Sequence, residues 1–146
     1  MTPFDNVKIA SDLYRSMSPQ NSATFLNALS DNVEFCDIPS GMVLKTKNEI
    51  RQYQETWFKA FPDATCEVTQ VWGSGDRVLV EFTVRGTHQG PLALPSGSIG
   101  PTYKKIECRN CDILQFRDGK IISGRTYYDM ASLLSQLGVG VAKLAA

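Results

Sequence analysis

The stretch "TKNEIRQYQETWFKAFPDATCEVTQVW", residues 46–72, changes its hydrophobic period half-way along. In its first part apolar residues recur at helical spacing from Ile50 to Phe61, and Thr46 with Glu49 forms a T-x-x-E capping box. The sequence "FPDA" ends that helix, and strand-like residues follow. A helical segment that leads into a run of strands predicts an α+β fold.

Two shorter helices are predicted before this stretch. "TPFDNVKIASDLYRSM" begins at residue 2, with Thr2 as the cap, Pro3 at the first helical position and Asp5 completing a weak capping box. "SPQNSATFLNALS" repeats the Ser-Pro start and predicts a second helix. "NVEFCDI" predicts a short strand, which "PSGM" ends.

Four strands and a last helix are predicted after residue 64. The strands are "TCEVTQVW", "DRVLVEFTVRG", "YKKIECRNCDILQF" and "KIISGRTYY", with "GSGD" and "RDGK" as hairpin turns. "MASLLSQLG" predicts a helix that ends at Gly138. We expect a single domain over 1–146, with one curved antiparallel sheet from Thr65 to Tyr128 wrapped around the helices. Such a cone encloses a cavity.

The composition excludes several classes of protein. Fifteen basic residues balance fifteen acidic ones and no basic run occurs, so we expect no nucleic-acid partner. No apolar stretch is long enough to span a membrane, and the N-terminal residues do not resemble a signal peptide, so we expect a cytoplasmic protein. Cys108 and Cys111 form a C-x-x-C, but on a strand they point to opposite faces, which favours structural thiols.

Five motifs carry a family resemblance. "AFPDA", "GDRV", "GTHQGPL", "RDGKI" and "YYDMASLLSQLG" occur in this order along nearly the whole chain. Together they resemble the SnoaL-like polyketide cyclase and ester cyclase family of the nuclear-transport-factor-2-like superfamily. The resemblance implies a cone-shaped α+β fold, a cavity for a small apolar or aromatic ligand, and acid–base chemistry without metal or cofactor. With the apolar residues on both faces of the last strands, it also implies a homodimer through the convex sheet face.

The resemblance also implies site residues. The family's strand-borne acid–base partner falls on Asp112, and its closing W-D pair falls on Arg125 and Thr126. Asp112 therefore fits the family pattern, whereas Thr126 replaces an acid with a hydroxyl that is no general base at neutral pH. Asp112 is the candidate acid–base, with Thr126 and Asn110 as orienting groups.

The turn at "RDGK" leaves two alternatives for the surroundings of Asp112. A three-residue loop places Asp112 opposite Gly124, on a mixed face that also carries Asn110, Thr126 and Ile122. A two-residue loop places Asp112 opposite Arg125, where an ion pair would form.

Other candidate residues come from their positions. His88, the only histidine, is a candidate accessory catalytic donor, although a role at the ligand rim or in structural hydrogen bonding is favoured. Glu81 is on the strand face opposite the core residues, and that face meets either solvent, a dimer interface or the polar side of the pocket. Asp129 is placed to cap the last helix. "LALPSGSIGPTYKK" is a long loop typical of a lid. Aromatic candidates for binding the ligand are Tyr14, Trp57, Phe61, Tyr103 and Tyr128.

Two functional hypotheses follow. The first is a cofactor-independent cyclase, isomerase or hydrolase that acts on an apolar carbonyl or polyketide-like compound. The alternative is a non-catalytic ligand-binding or dimerisation module of the same fold, which the threonine at position 126 favours.

Overall fold

The computed structural model describes residues 5–140 and contains four α-helices and eight strands within them. The helices are α1 (Asn6–Arg15), α2 (Ser22–Asn27), α3 (Lys47–Ala60) and α4 (Met130–Gln136). A short 3-10 turn at Pro19–Asn21 precedes α2. The strands are β1 (Leu29–Asp37), β2 (Met42–Leu44), β3 (Thr65–Ser74), β4 (Arg77–Thr87), β5 (Leu92–Leu94), β6 (Gly97–Ile99), β7 (Lys105–Arg117) and β8 (Lys120–Tyr128). None of the helices in this range is long and apolar enough to cross a membrane.

Six of the strands form one curved sheet in the order β2-β1-β8-β7-β4-β3. The pairs β3–β4, β4–β7 and β7–β8 are antiparallel, as the sequence predicts for the run from Thr65 to Tyr128. β1 pairs with β8 in parallel, a pairing between distant segments that no local pattern announces. Residues 92–99, predicted as loop, instead form a separate β5–β6 hairpin, and its Leu92 and Ile99 are buried in a core cluster that also contains the end of α3 and the last helix.

Side chains cap three of the helices. Asp5 accepts a hydrogen bond from the Lys8 N–H at 3.0 Å, so α1 begins at Asn6; the predicted cap Thr2 and first-turn Pro3 lie outside the described residues. Thr46 caps α3 as predicted, accepting from the Glu49 N–H at 3.0 Å. Asp129 caps α4 in the same way.

The β7–β8 hairpin combines a tight turn with a bulge. Asp118 and Gly119 both have positive φ, 51° and 77°, and form a two-residue turn between Arg117 and Lys120. An extra residue at Ile122 then shifts the register, so that Asp112 lies opposite Thr126. Neither partner expected from the sequence is correct. The bulge also turns Ile122 away from the cavity face and leaves Ile121 as the buried residue.

The helices pack against the concave side of the sheet and divide the core into two clusters. α1 packs on β3 and β4, with Ala10 and Tyr14 completely buried. The second cluster joins the end of α3 to α4 and the β5–β6 hairpin. Between the helices and the sheet lies a cavity.

Candidate active site

A cavity of about 170 Å³ opens between the helices and the concave face of the sheet. Its walls are mainly apolar, and a few polar side chains converge on it. Pockets of this composition are the usual sites for small ligands. The polar lining residues are Tyr14, Tyr53, Gln54, Asn110, Asp112, Thr126 and Tyr128.

Asp112 on β7 is a buried carboxyl with one oxygen left free. Its side chain is 6% exposed, and the Tyr14 hydroxyl donates a hydrogen bond of 2.5 Å to Oδ2. Within residues 5–140, Oδ1 has no hydrogen-bond partner. Burial raises the pKa of Asp112 from 3.8 to about 6; the nearby Thr126 and Tyr14 hydroxyls oppose this rise, and the Asp37 charge adds to it. Asp112 therefore titrates near neutral pH, and one of its oxygens is unpaired within the described residues.

A second buried acid, Asp37, ends strand β1 and is fully engaged. Its Oδ2 accepts hydrogen bonds from the hydroxyls of Tyr53 at 2.7 Å and Tyr128 at 3.0 Å. Its Oδ1 accepts from the Ser40 N–H at 3.1 Å. These donors occupy both oxygens of Asp37, so this carboxyl, unlike that of Asp112, has no unpaired oxygen.

The two acids lie in one row across three strands, with a threonine between them. Thr126 on β8 is the Cα partner of Asp112 on one side and of Asp37 on the other. A carboxylate at position 126 would stand between two others and repel both. The threonine therefore separates the two charges with a neutral hydroxyl.

Sequence reasoning missed Asp37, although a signal was present. Val33, Phe35 and Asp37 alternate along β1, and all three are buried on one face. The period of two already placed this acid on the core side of the strand.

The three tyrosines around the acids remain hydrogen-bond donors over the working pH range. Burial, together with the neighbouring carboxyl groups, raises the pKa of Tyr14 and Tyr53 well above the ordinary value for a tyrosine. The same causes also raise the pKa of Tyr128. Their hydroxyls therefore stay protonated and hold the two carboxyl groups in place.

Most of the candidate residues from the sequence meet at the cavity, but Glu81, Tyr103 and His88 do not. Trp57, Phe61 and the polar candidates Tyr14, Asn110, Thr126 and Tyr128 all line it. Glu81 does not, because Val80 and Phe82 take the inward face of β4 and leave it exposed on the outer face. Tyr103 is 71% exposed and also lies outside the cavity lining.

His88 lies behind the cavity wall rather than at its rim. It is fully buried, and its ring packs on Phe61 with the ring centroids 5.4 Å apart. Its Nδ1 accepts a 3.2 Å hydrogen bond from the Thr102 N–H and lies 2.9 Å from the Thr102 hydroxyl. Burial lowers the pKa of His88. This placement supports the structural hydrogen-bonding role, in which the histidine anchors the segment that carries β5 and β6.

The cysteines have the placement expected of structural thiols. All four are free, and Cys108 is buried whereas Cys111 is on the opposite face of β7. Burial raises the pKa of Cys66 to about 12 and that of Cys108 to about 11, which makes thiolates scarce. Within residues 5–140, no group of three or more His, Cys, Asp or Glu side chains is placed to hold a metal ion.

The sequence profile of the SnoaL-like polyketide cyclases matches residues 8–137. The chain belongs to this family. Its motifs and its curved α+β sheet are those that the family resemblance implied. No curated protein matches the chain.

Solved structures of similar fold confirm the α+β architecture of this SnoaL-like chain. AclR, a proposed hydroxylase from Streptomyces galilaeus, is 22% identical, with 92% of this chain and 96% of that one covered and a TM-score of 0.77. IdmH, a proposed polyketide cyclase from Streptomyces antibioticus, is 21% identical over 93% and 100%, with a TM-score of 0.75. An NTF2-like protein from Burkholderia thailandensis is 17% identical over 92% and 98%, with a TM-score of 0.76. At these identities the likeness shows the fold alone.

Proposed function

We propose that this SnoaL-like protein is a cofactor-independent enzyme that moves a proton at the carbon next to a carbonyl group, with Asp112 as the acid–base. The observation that carries the proposal is the buried Oδ1 of Asp112, which has no hydrogen-bond partner within residues 5–140 and belongs to a residue that lines an apolar cavity. A general base works best when its pKa lies near the working pH, and the pKa of Asp112 is about 6.

The proposed reaction begins with the ionised form of Asp112. Oδ1 takes a proton from the α-carbon, and the electron pair of the C–H bond moves into the carbonyl group to give an enolate. In an isomerisation, Asp112 returns the same proton to a different carbon. In a ring closure, the enolate carbon instead attacks a second carbonyl carbon, and Asp112 gives its proton to the new alkoxide. Both outcomes leave the enzyme unchanged.

The neighbouring residues position and tune this base. Tyr14 holds Oδ2 and so leaves Oδ1 as the unpaired oxygen of a residue that lines the cavity. The nearby Asp37 carboxyl disfavours ionisation of Asp112 and helps to keep its pKa close to neutral. Tyr53 and Tyr128 hold Asp37 in place. Asp37 and the two tyrosines are therefore positioning residues in this scheme.

The experiment is the isomerisation of cyclohex-3-en-1-one to the conjugated cyclohex-2-en-1-one, followed by ultraviolet absorbance. The reaction needs only transfer of an α-proton to the γ-carbon, which a single carboxyl can carry out. We expect the wild-type protein to catalyse it and Asp112→Asn to lose roughly 100-fold or more in kcat. Affinity for the ketone should stay within about tenfold, because the asparagine preserves the shape of the site.

Asp31→Asn is the matched control, because the Asp31 side chain is 95% exposed, and it should keep full activity. Equal rates in Asp112→Asn and wild type would remove Asp112 from the mechanism. Ligand binding without turnover in the wild type would instead support the non-catalytic alternative.

A further inference from the structure

Two cavity-lining amides make no side-chain hydrogen bonds to the described part of the chain. Asn110 on β7 and Gln54 on α3 both line the cavity, and their oxygens Oδ1 and Oε1 are buried without a partner among residues 5–140. Leaving such buried acceptors unmatched is unfavourable, so a ligand group that reaches them would gain from pairing with them.

The position of Asn110 relative to Asp112 sets the spacing of ligand groups. The two residues are two apart on one strand, so they are on the same face and about 7 Å apart along it. Gln54 approaches from α3, next to Tyr53, which binds Asp37. A ligand whose reacting α-carbon meets Asp112 consequently presents another part of itself to the amides.

The size of the cavity limits that ligand to about one ring. An engineered cavity of ~150 Å³ in another protein holds benzene, and the present cavity is about 170 Å³. Its floor consists of aromatic rings in edge contact, including Tyr14 with Phe25 at 5.8 Å and Phe25 with Phe35 at 6.3 Å between centroids. Phe35 lies directly over Gly124, where a Cβ would stand 2.2 Å from the ring, so the floor has no room to recede.

We infer that the substrate is a compact keto compound of about one ring, whose hydroxyl or enol group is bound by the side-chain amides of Asn110 and Gln54. This inference rests on the proposed function and names the substrate class of the same site. A hydroxyl both donates and accepts hydrogen bonds, which matches an amide that offers a free C=O and a free NH₂. A compound of three or four fused rings would extend beyond the walled part of the cavity.

The test measures binding of three probes by isothermal titration calorimetry. Resorcinol has one ring and two hydroxyls, m-xylene has the same shape without hydroxyls, and 1,3-dihydroxyanthraquinone has three rings. We expect the wild type to bind resorcinol at least roughly tenfold more tightly than m-xylene, and the three-ring compound more weakly than resorcinol.

Two shape-matched variants remove the amides one at a time. Asn110→Leu and Gln54→Met should each weaken resorcinol binding by roughly tenfold and leave m-xylene binding the same or stronger. Gln70→Met is the control, because Gln70 is exposed on β3, and it should change neither affinity. If Asn110→Leu does not fold, Asn110→Ser provides the same comparison.

Three results would overturn the inference: parallel changes in the resorcinol and m-xylene affinities, no change in either, or tightest binding of the three-ring compound. These outcomes are separate from the isomerisation assay. A protein that isomerises cyclohexenone but shows no amide-dependent preference refutes only the substrate class. One that shows the preference without turnover refutes only the proposed reaction.

Discussion

Replacing Asp112 with asparagine should make the protein more stable at alkaline pH. Burial raises the pKa of this carboxyl from 3.8 to about 6, so its ionisation lowers the free energy of unfolding. At 1.36 kcal/mol per pKa unit, the cost is roughly 3 kcal/mol once both folded and unfolded chains are ionised. The introduced asparagine carries no charge and still accepts the hydrogen bond of the Tyr14 hydroxyl.

The gain in stability of Asp112→Asn should depend on pH. A carboxyl with a raised folded-state pKa binds its proton more tightly in the folded chain, so the cost is complete above pH 6 and disappears below pH 3.8. The advantage of Asp112→Asn should therefore be roughly 3 kcal/mol at pH 8 and fade as the pH falls to about 4. In urea unfolding at pH 8, that is a midpoint increase of roughly 1–2 M.

Asp31→Asn makes the same chemical change at an exposed position and should alter the unfolding free energy by less than about 0.5 kcal/mol at every pH. A variant Asp112→Asn that is less stable than wild type at pH 8 would refute the reasoning. So would an advantage that does not change with pH.

Two further substitutions test the electrostatics of the acid row and the outer sheet face. Thr126→Asp places a third carboxyl between Asp37 and Asp112. Because like charges disfavour ionisation, the acidic limb of the pH–rate profile should move above pH 6. A limb that does not move would mean that the three groups do not interact. We expect the wild-type chain to sediment as a homodimer, at twice its mass of 16.2 kDa, through the convex face. There Ile113 shares a row with Leu79 and the exposed Trp72, and Ile113→Arg should give a monomer. Sedimentation of the wild type as a monomer at micromolar concentration would contradict the dimer.

Local patterns in the sequence were sufficient for most elements and for one of the two acids. The period change after Phe61, the cap at Thr46 and the alternation along β4, β7 and β8 each depend on residues a few positions apart. Asp112 was found because its strand and its family position are both readable along the chain. Such signals survive into the structure because neighbouring residues set helix and strand propensity.

The tertiary structure alone decided which distant groups meet. The parallel pairing of β1 with β8 brings Asp37 beside Thr126, and the bulge at Ile122 moves Asp112 opposite the same residue. The first depends on contacts between segments roughly 90 residues apart in the sequence. The second depends on a register shift of one residue, and such a shift exchanges the two faces of a strand. Whether the face of β4 that carries Glu81 meets solvent or the pocket was also decided by the tertiary structure, which leaves Glu81 exposed. The sequence determined the elements and the chemistry they carry, and long-range pairing determined which of the two carboxyl groups at the cavity has an unpaired oxygen.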